Sequence, residues 1–521
     1  MIDKNHILNE VEKFIETDTS DKTAKTVLNQ ILEQVQPISF RKIAFPEFVK
    51  LEKRQKEIQQ AYLKDAGEID EKIYSTYQDE LELIKAKLEK APKVTQKHYM
   101  IITIEKLLQL AQKHSWDLCQ RQGHYYIYNG EYWNVFDADE LKSFLGEVAE
   151  KMGVPKYDSR FYDFRDRLFK QFETTAHLPE PKIPKDTVLI NLLNGTFEIT
   201  EKNQRLREFS SKDFITYQLN FKYQPKATAP LFQKYLNEVL PDQESQRVLA
   251  EFMGYVFTRN LKLEKVLFLY GSGRNGKSVM FEIITAMLGA DNISGYSLSS
   301  ITDEKGYHRA KLVNKLLNWA SDIGDRLQSN TFKQLASGEP IEARLPHKEP
   351  FIIENVCKFA FNTNVLPVDV EHNKAFFERF LIIPFNTYIP PDKRDAKLPE
   401  KIISKELPGV FNWVLEGLKR LLEQGRFSPC KASDETLEQF QKESDSVAMF
   451  LEENNYQPSS ESWVQAKPVY QDYKDYCFSE GLKPLARKNF HKRLEGLNCF
   501  LSIKNVGKVI HIEKKAGEYG F

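Results

Sequence analysis

VLFLYGSGRNGKSVMFEIITAML, residues 266–288, decides how the rest of the chain is read. An apolar, strand-like run enters a glycine-rich turn, and a helical pattern leaves it through Gly276, Lys277 and Ser278. The turn is Gly271-Ser272-Gly273-Arg274-Asn275-Gly276-Lys277-Ser278, the pattern G-x-x-x-x-G-K-S. Gly271, Gly273 and Gly276 let backbone N–H groups close around phosphate oxygens where a Cβ would clash. The helix start adds the positive end of its dipole. Lys277 can reach the β- and γ-phosphates, and the Ser278 hydroxyl is placed to ligate Mg²⁺. A chance glycine turn would not need the flanking strand and helix. The expectation is a nucleoside triphosphate site that takes ATP and Mg²⁺.

The rest of the composition sets bounds. With 521 residues the chain has room for about three domains. It is 41% hydrophobic and 28% charged, an ordinary globular profile that argues against wholesale disorder. Formal net charge is zero, so any nucleic-acid surface must be local. The start MIDKNHILNEVEKF lacks the apolar core of a signal peptide, and no apolar run approaches a membrane span. Cys119, Cys357, Cys430, Cys477 and Cys499 are scattered, without a C-x-x-C pair or a His at ligand spacing. They read as reduced structural thiols rather than a zinc site. A cytoplasmic, multidomain enzyme with no membrane partner is expected.

Residues 1–95 are charged and helical in pattern. Ile69, Ile73, Tyr77, Leu81, Ile84 and Leu88 recur at spacings of three and four, an apolar stripe that suits a plain bundle or a docking surface. APKVTQ at 91–96 breaks the pattern and marks a boundary. Residues 96–228 are mixed in texture. HYYIYNGEYWNVF predicts a hairpin around Asn129-Gly130, and VLINLLNGTFEI another around Asn194-Gly195. Asp137 and Asp139 end a strand as D-x-D, which could belong to a two-metal polymerase site. Asp139 as the cap of the following helix is the better reading, since no second acidic strand completes such a site.

Residues 229–435 carry the remaining candidates. Hydrolysis needs an acid near Mg²⁺, a polar group at the γ-phosphate and a cation for the transition state. KLLNWASD ends an apolar strand in Asp322, the expected second metal-shell acid, with Asp325 an open alternative for polarising water. VCKFAFNTNVLP ends in Asn362-Thr363-Asn364, where an amide can orient water without adding charge. KAFFERFLIIPF places Arg379 before another apolar strand, where it could reach a neighbouring subunit's nucleotide. SGEPIEARLPHKEPFIIEN reads as strand, tight tip, strand, with Arg344, His347 and Lys348 clustered to grip a phosphate backbone.

In this order the elements resemble superfamily III helicases, the phage/plasmid primase-type and poxvirus helicase-primase branch of AAA+ ATPases found on mobile elements. The matching pieces are EFMGY at 251–255, GSGRNGKS, the acid strand, SGEPIEAR, TNVLP and FERFLIIPF, with NGEYW and LLNGTFEI upstream. The likeness spans about 120–521. It implies an α/β AAA+ P-loop core with an N-terminal helical region, a mixed α+β accessory domain and a C-terminal winged helix. It also implies roles: Lys277 and Ser278 for nucleotide and Mg²⁺, Asp322 as the second-motif acid, Asn364 as sensor, Arg379 as finger, and His347 with Lys348 on a pore hairpin. Such helicases form hexameric rings that move along one DNA strand, commonly 3′ to 5′. Two departures stand out: Asp322 sits where relatives generally carry Glu, and Glu378 where a second Arg is common.

Residues 440–521 read as helix, helix and a two-stranded wing, a winged helix. SPCKASDET at 428–436 resembles a connection leading to it. From 482 to 515 there are nine Lys or Arg against two acids. Arg487, Lys488, His491, Lys492 and Arg493 lie on the second helix, and Lys504 and Lys508 on the wing. Duplex DNA is the expected partner there, with protein docking as the alternative. The whole reads as a replicative DNA helicase of a mobile element, loading at its own origin and working as a homo-oligomer with single-stranded DNA in the ring. The rival readings are a DNA-binding AAA+ ATPase without unwinding, a primase-helicase, and, least well supported, a small-molecule kinase.

Overall fold

The computed structural model describes residues 23–64, 71–121, 123–176, 187–321, 323–324, 327–346, 349–354, 356–367, 373–482 and 484–514. They fall into two units, one formed by 23–176 with 206–218, the other by 187–205 with 219–514.

In the first unit the helical periodicity of the leading segment is realised as α1 (Ala24–Gln34), α2 (Pro46–Lys64), α3 (Glu71–Glu89) and α4 (Gln96–Lys113). On α3, Ile84 is buried, and Tyr77, Leu81 and Leu88 are partly covered on the same stripe. Ile69 and the Ile73 side chain lie outside what is described. Arg54 of α2 forks onto Glu80 of α3 through Nε at 2.8 Å and Nη2 at 3.0 Å. There follow β1 (Leu118–Arg121), β2 (His124–Tyr128) and β3 (Trp133–Phe136), an antiparallel sheet in that order, then α5 (Ala138–Met152) and α6 (Tyr162–Thr175). The turn between β2 and β3 holds Asn129-Gly130 as expected, its Asn129 Oδ1 accepting from Glu131 N and Tyr132 N. The helix cap differs from expectation. Asp137 Oδ1 accepts from Asp139 N at 2.7 Å, so Asp137 is the cap and Asp139 lies in the first turn, where an acid favours the dipole. The boundary expected near 95 does not coincide with a break in packing. Val27, Leu28 and Ile31 of α1 share one core with Ile104 and Leu107 of α4, Leu145 and Val148 of α5, and Leu168 and Phe172 of α6.

The second unit opens with the hairpin β4 (Val188–Leu192) and β5 (Gly195–Ile199), which turns at the predicted Asn194-Gly195. It packs within the second unit. Phe197 and Phe221 meet Phe411 of a long helix in the second unit, with ring centroids 6.4 and 5.5 Å away. Two helices, α7 (Pro230–Val239) and α8 (Gln243–Tyr255), lead into β6 (Val266–Tyr270) and α9 (Lys277–Leu288). Next come β7 (Ile293–Ser294), β8 (Leu317–Ala320), α10 (Ser329–Ser337), the pair β9 (Ile341–Ala343) and β10 (Phe351–Ile353), then β11 (Lys358–Thr363) and β12 (Phe380–Pro384). Five of these strands form one parallel sheet in the order β12-β6-β11-β8-β7. Parallel strands covered on both faces need unbroken apolar runs, and Val266, Leu267, Phe268 and Leu269 of β6 are all buried. Phe268 stacks between Phe361 of β11 and Phe380 of β12, at 5.6 and 4.8 Å.

The long helix is α11 (Leu398–Gln424), and α8 packs along it. The EFMGY segment belongs to this contact. Glu251 is fully buried and accepts from Ser428 N at 2.8 Å, Ser428 Oγ at 2.7 Å and Arg420 Nε at 3.3 Å. The expected connection at 428–436 is instead the start of a helix, α12 (Lys431–Glu443). Its Phe440 is buried against Phe377 and Phe380, with centroids 5.5 and 5.3 Å apart, so apolar burial overrides a linker-like composition. Beyond it lie α13 (Ala466–Ser479), α14 (Arg487–Gly496) and the hairpin β13 (Leu501–Lys504) and β14 (Gly507–Ile510), as the sequence anticipates. Tyr473 of α13 stacks on Phe490 of α14 at 4.5 Å in a small core with Phe450, Val469, Leu494 and Ile510. The five cysteines are buried free thiols, and burial pushes Cys119 and Cys357 up to about 12. Among the described residues no helix is long and apolar enough to cross a membrane.

Candidate functional site

The turn after β6 is tied to its neighbours on both sides. Gly271 N donates to Thr363 O at the tip of β11 (3.1 Å), and Phe385 N, just past β12, donates to Tyr270 O (2.7 Å). Asn275 Nδ2 donates to Phe385 O at 2.7 Å, and Ile389 N to Arg274 O at 3.0 Å. From beneath, Tyr235 of α7 donates its hydroxyl to Gly276 O at 2.8 Å. Gly276 has φ +89°, a conformation that disfavours a side chain, and any Cβ there would press on Val239. A Cβ on Gly271 would strike Asn275 Nδ2 and Phe385 O. The loop is held in shape before any ligand arrives.

Lys277 is 8% exposed, and its Nζ donates to Gly271 O (2.8 Å) and Asn275 Oδ1 (3.1 Å). Neither partner carries charge, and burial pulls the amine below its ordinary pKa. Among the described residues this buried cation is answered by neutral oxygens, which invites an anion. The first turn of α9 contains no acid, so the positive end of the helix is left uncancelled. Ser278 is exposed in that first turn. This donor set fits a polyphosphate: backbone N–H groups of 272–277 and Lys277 for its oxygens, Ser278 for a divalent cation beside them.

One other described candidate lies at the same, carboxyl end of the sheet. Asn364 is exposed and directly follows Thr363, whose carbonyl holds Gly271. Asn362 is turned inward, its Oδ1 accepting from Trp319 Nε1 at 3.0 Å, which leaves Asn364 as the amide open to a ligand. Strand β8 ends at Ala320, paired with Phe361. Asp322 and Asp325, which follow it, lie outside the described residues, as do His347 and Lys348. The hairpin that would carry the latter two is present as β9 and β10, in register Ile341 to Ile353, with Arg344 directly after β9.

Arg379 stands at the opposite end, where β12 begins. A five-residue strand separates it from the glycine turn by roughly 17 Å of sheet. Its Nη2 pairs with Glu264 at 2.6 Å and donates to Ser337 Oγ at 3.0 Å, and its side chain is 15% exposed. Sequence reading missed both partners, which are 115 and 42 residues away.

In the C-terminal region Arg487, Lys488, Lys492, Lys504 and Lys508 are exposed. Lys504 Nζ lies 4.8 Å from the Trp463 ring centre, and Lys508 Nζ is 3.3 Å from His491 Nδ1. Burial, then Lys508 and Arg487, hold His491 below the usual histidine value. Arg493 departs from expectation. Its Nε bonds Asp445 Oδ2 at 2.6 Å, and that carboxylate is 2% exposed and also caps the helix Ser446–Glu453. Arg493 therefore lies on the inward side of α14, with Phe490 and Leu494 on the buried face.

The chain is similar in parts to known families and proteins. A family model described as "D5 N terminal like" matches residues 93–241, and one described as "Family of unknown function (DUF5906)" matches 269–379. A protein of Acanthamoeba polyphaga mimivirus named "Putative helicase" is 20% identical over 398 residues, 67% of this chain and 40% of the viral one. Another so named, from Invertebrate iridescent virus 3, is 20% identical over 353 residues, 60% of this chain and 37% of the other. The chain thus spans about two fifths of the length of these curated relatives. Among solved structures, the apo C-terminal region of NrS-1 aligns with a TM-score of 0.44 at 13% identity, covering 78% of this chain and 98% of that one. A second apo structure of that region gives 0.42 at 13% identity, covering 78% and 97%.

Proposed function

We propose that this chain is an ATP-dependent DNA helicase motor of the AAA+ superfamily III type, acting as a ring-forming homo-oligomer. The observation that carries the proposal is the pinned glycine turn with Lys277 buried against neutral oxygens, at the carboxyl end of a parallel sheet, where open α/β folds bind ligands. The similarity to two viral proteins named as helicases supports the DNA-unwinding part.

In this reading the backbone N–H groups of 272–277 and the Lys277 amine bind and orient the triphosphate. Ser278 and Asp322 hold Mg²⁺, which, when bound, offsets charge on the phosphate oxygens. Asn364 positions water on the γ-phosphate side. Arg379 lies too far from its own loop, so as a finger it serves a neighbouring subunit, once Glu264 releases it. Arg344, His347 and Lys348 follow single-stranded DNA in the ring channel. The C-terminal helices and hairpin act as a winged helix on duplex DNA through Arg487, Lys488, Lys492, Lys504 and Lys508, with His491 at its margin. A hexamer, 3′ to 5′ movement and loading at an origin complete the proposal.

The decisive experiment is strand displacement on forked DNA carrying a 3′ or a 5′ tail, with ATP. Unwinding of the 3′-tailed fork alone is the expected result. ATP hydrolysis without displacement of either fork would favour a DNA-binding ATPase that does not unwind.

A further inference from the structure

The segment that follows β12 is bound to the glycine turn along its length. Phe385 O accepts from the Asn275 side chain, Ile389 N bonds the main chain of Arg274, and between them Tyr388 reaches the Arg274 side chain. Arg394 closes the group from the other side. Its Nε and Nη2 donate to Ile389 O at 3.0 and 2.8 Å, and Nη2 lies 3.3 Å from the Tyr388 hydroxyl. Its guanidinium carbon is 5.6 Å from the centre of the Tyr388 ring. Two guanidiniums thus converge on one phenol, and among the described residues neither pairs with a carboxylate. Asp395, next in sequence, is held by Lys401 at 2.6 Å. The Tyr388 side chain remains open, with the residue 54% exposed.

We propose that Tyr388 and Arg394, set against Arg274, form the contact for the base of the bound nucleotide; this rests on the phosphate-loop reading above. The phosphates already have the loop amides and Lys277. What this cluster adds is flat: an exposed aromatic face and planar guanidiniums, which suit a purine ring by stacking and cation–π attraction. The hydrogen bonds to Ile389 O fix Arg394 in advance, so little side-chain entropy is lost on binding. The arrangement therefore distinguishes a nucleotide from a bare polyphosphate.

The test is titration calorimetry on the full chain with two probes, ADP and inorganic tripolyphosphate, each with Mg²⁺. Tyr388→Ala should weaken ADP about tenfold and leave tripolyphosphate within about twofold, while Tyr388→Phe retains ADP affinity. Arg394→Ala should weaken ADP several-fold, again sparing tripolyphosphate. Unchanged ADP affinity in Tyr388→Ala, with Lys277→Ala losing both probes, overturns this inference and spares the phosphate loop. Equal loss of both probes in Tyr388→Ala also overturns it, since the cluster would then act on phosphate or on loop shape. A wild-type chain that binds neither probe overturns the phosphate-loop reading and the base contact with it.

Discussion

The two ends of the parallel sheet each carry a partly or wholly buried cation, and they treat it in opposite ways. At the carboxyl end Lys277 is answered by a carbonyl and an amide oxygen. At the amino end Arg379 is answered by the carboxylate of Glu264. A cation without a counter-ion is poised to receive one, whereas a cation already paired must be freed before it can act elsewhere. Burial alone does not separate the two cases; the charge of the partner does. The same contrast recurs on α14, where Arg487 and Lys488 face solvent and Arg493 is tied to Asp445.

The strongest test of this contrast removes Lys277, which no described carboxylate pairs. Lys277→Ala should cut ATP hydrolysis by at least about 10³-fold while the fold persists, because the amine supplies charge where it develops on the phosphate. Hydrolysis near the wild-type rate in a steady-state assay would break the assignment of the loop. Arg379→Ala should reduce DNA-stimulated hydrolysis about 10³-fold, yet nucleotide should still bind. Mixing it with Lys277→Ala protein should restore part of the activity through interfaces that join an intact loop to an intact arginine. Absence of rescue, with subunit exchange shown separately, counts against a finger acting in trans.

A smaller effect distinguishes paired from exposed arginines on α14. Arg493→Ala should destabilise the C-terminal region by about 2 kcal/mol in urea denaturation, since it leaves a buried carboxylate without its partner. Charge reversal at Arg487 and Lys488 should leave stability within about 0.5 kcal/mol and weaken duplex binding instead. The smallest expected change is in salt dependence. Each phosphate contact contributes about −0.9 to the slope of log K against log salt, so Lys488→Ala should make that slope shallower by about one. An unaltered slope would move this region toward protein docking.

Local backbone geometry was legible in the sequence, and partnership was not. The glycine turn could be read because strand, turn and helix are contiguous and the loop needs glycine at fixed spacings. Both Asn-Gly hairpins were legible for the same reason. The pairing of Arg379 with Glu264 was hidden, since nothing in FERF points to a residue before β6. The contact between Arg274 and Tyr388 was hidden likewise: one was read only as a loop position, and the other lies in a segment with no motif. The cap moved from Asp139 to Asp137 because either acid satisfies the pattern and only the backbone angles choose. Helix α12 was misread because serine and proline at 428–436 resemble a linker, while the residue that decides, Phe440, comes after them.

That helix also bears on how the molecule can be taken apart. Phe440 is seated against Phe377 and Phe380, and five residues later Asp445 grips Arg493. A protease seeking a nick between the parallel-sheet region and the C-terminal region finds ordered helix and a buried carboxylate rather than an open tether. A truncation ending before 440 would strip an aromatic lid from Phe377 and Phe380 and leave an oily scar prone to clumping. One starting after 445 would orphan Arg493. Clean separation of the halves calls for a break within 441–444, with each fragment keeping the anchor on its own side.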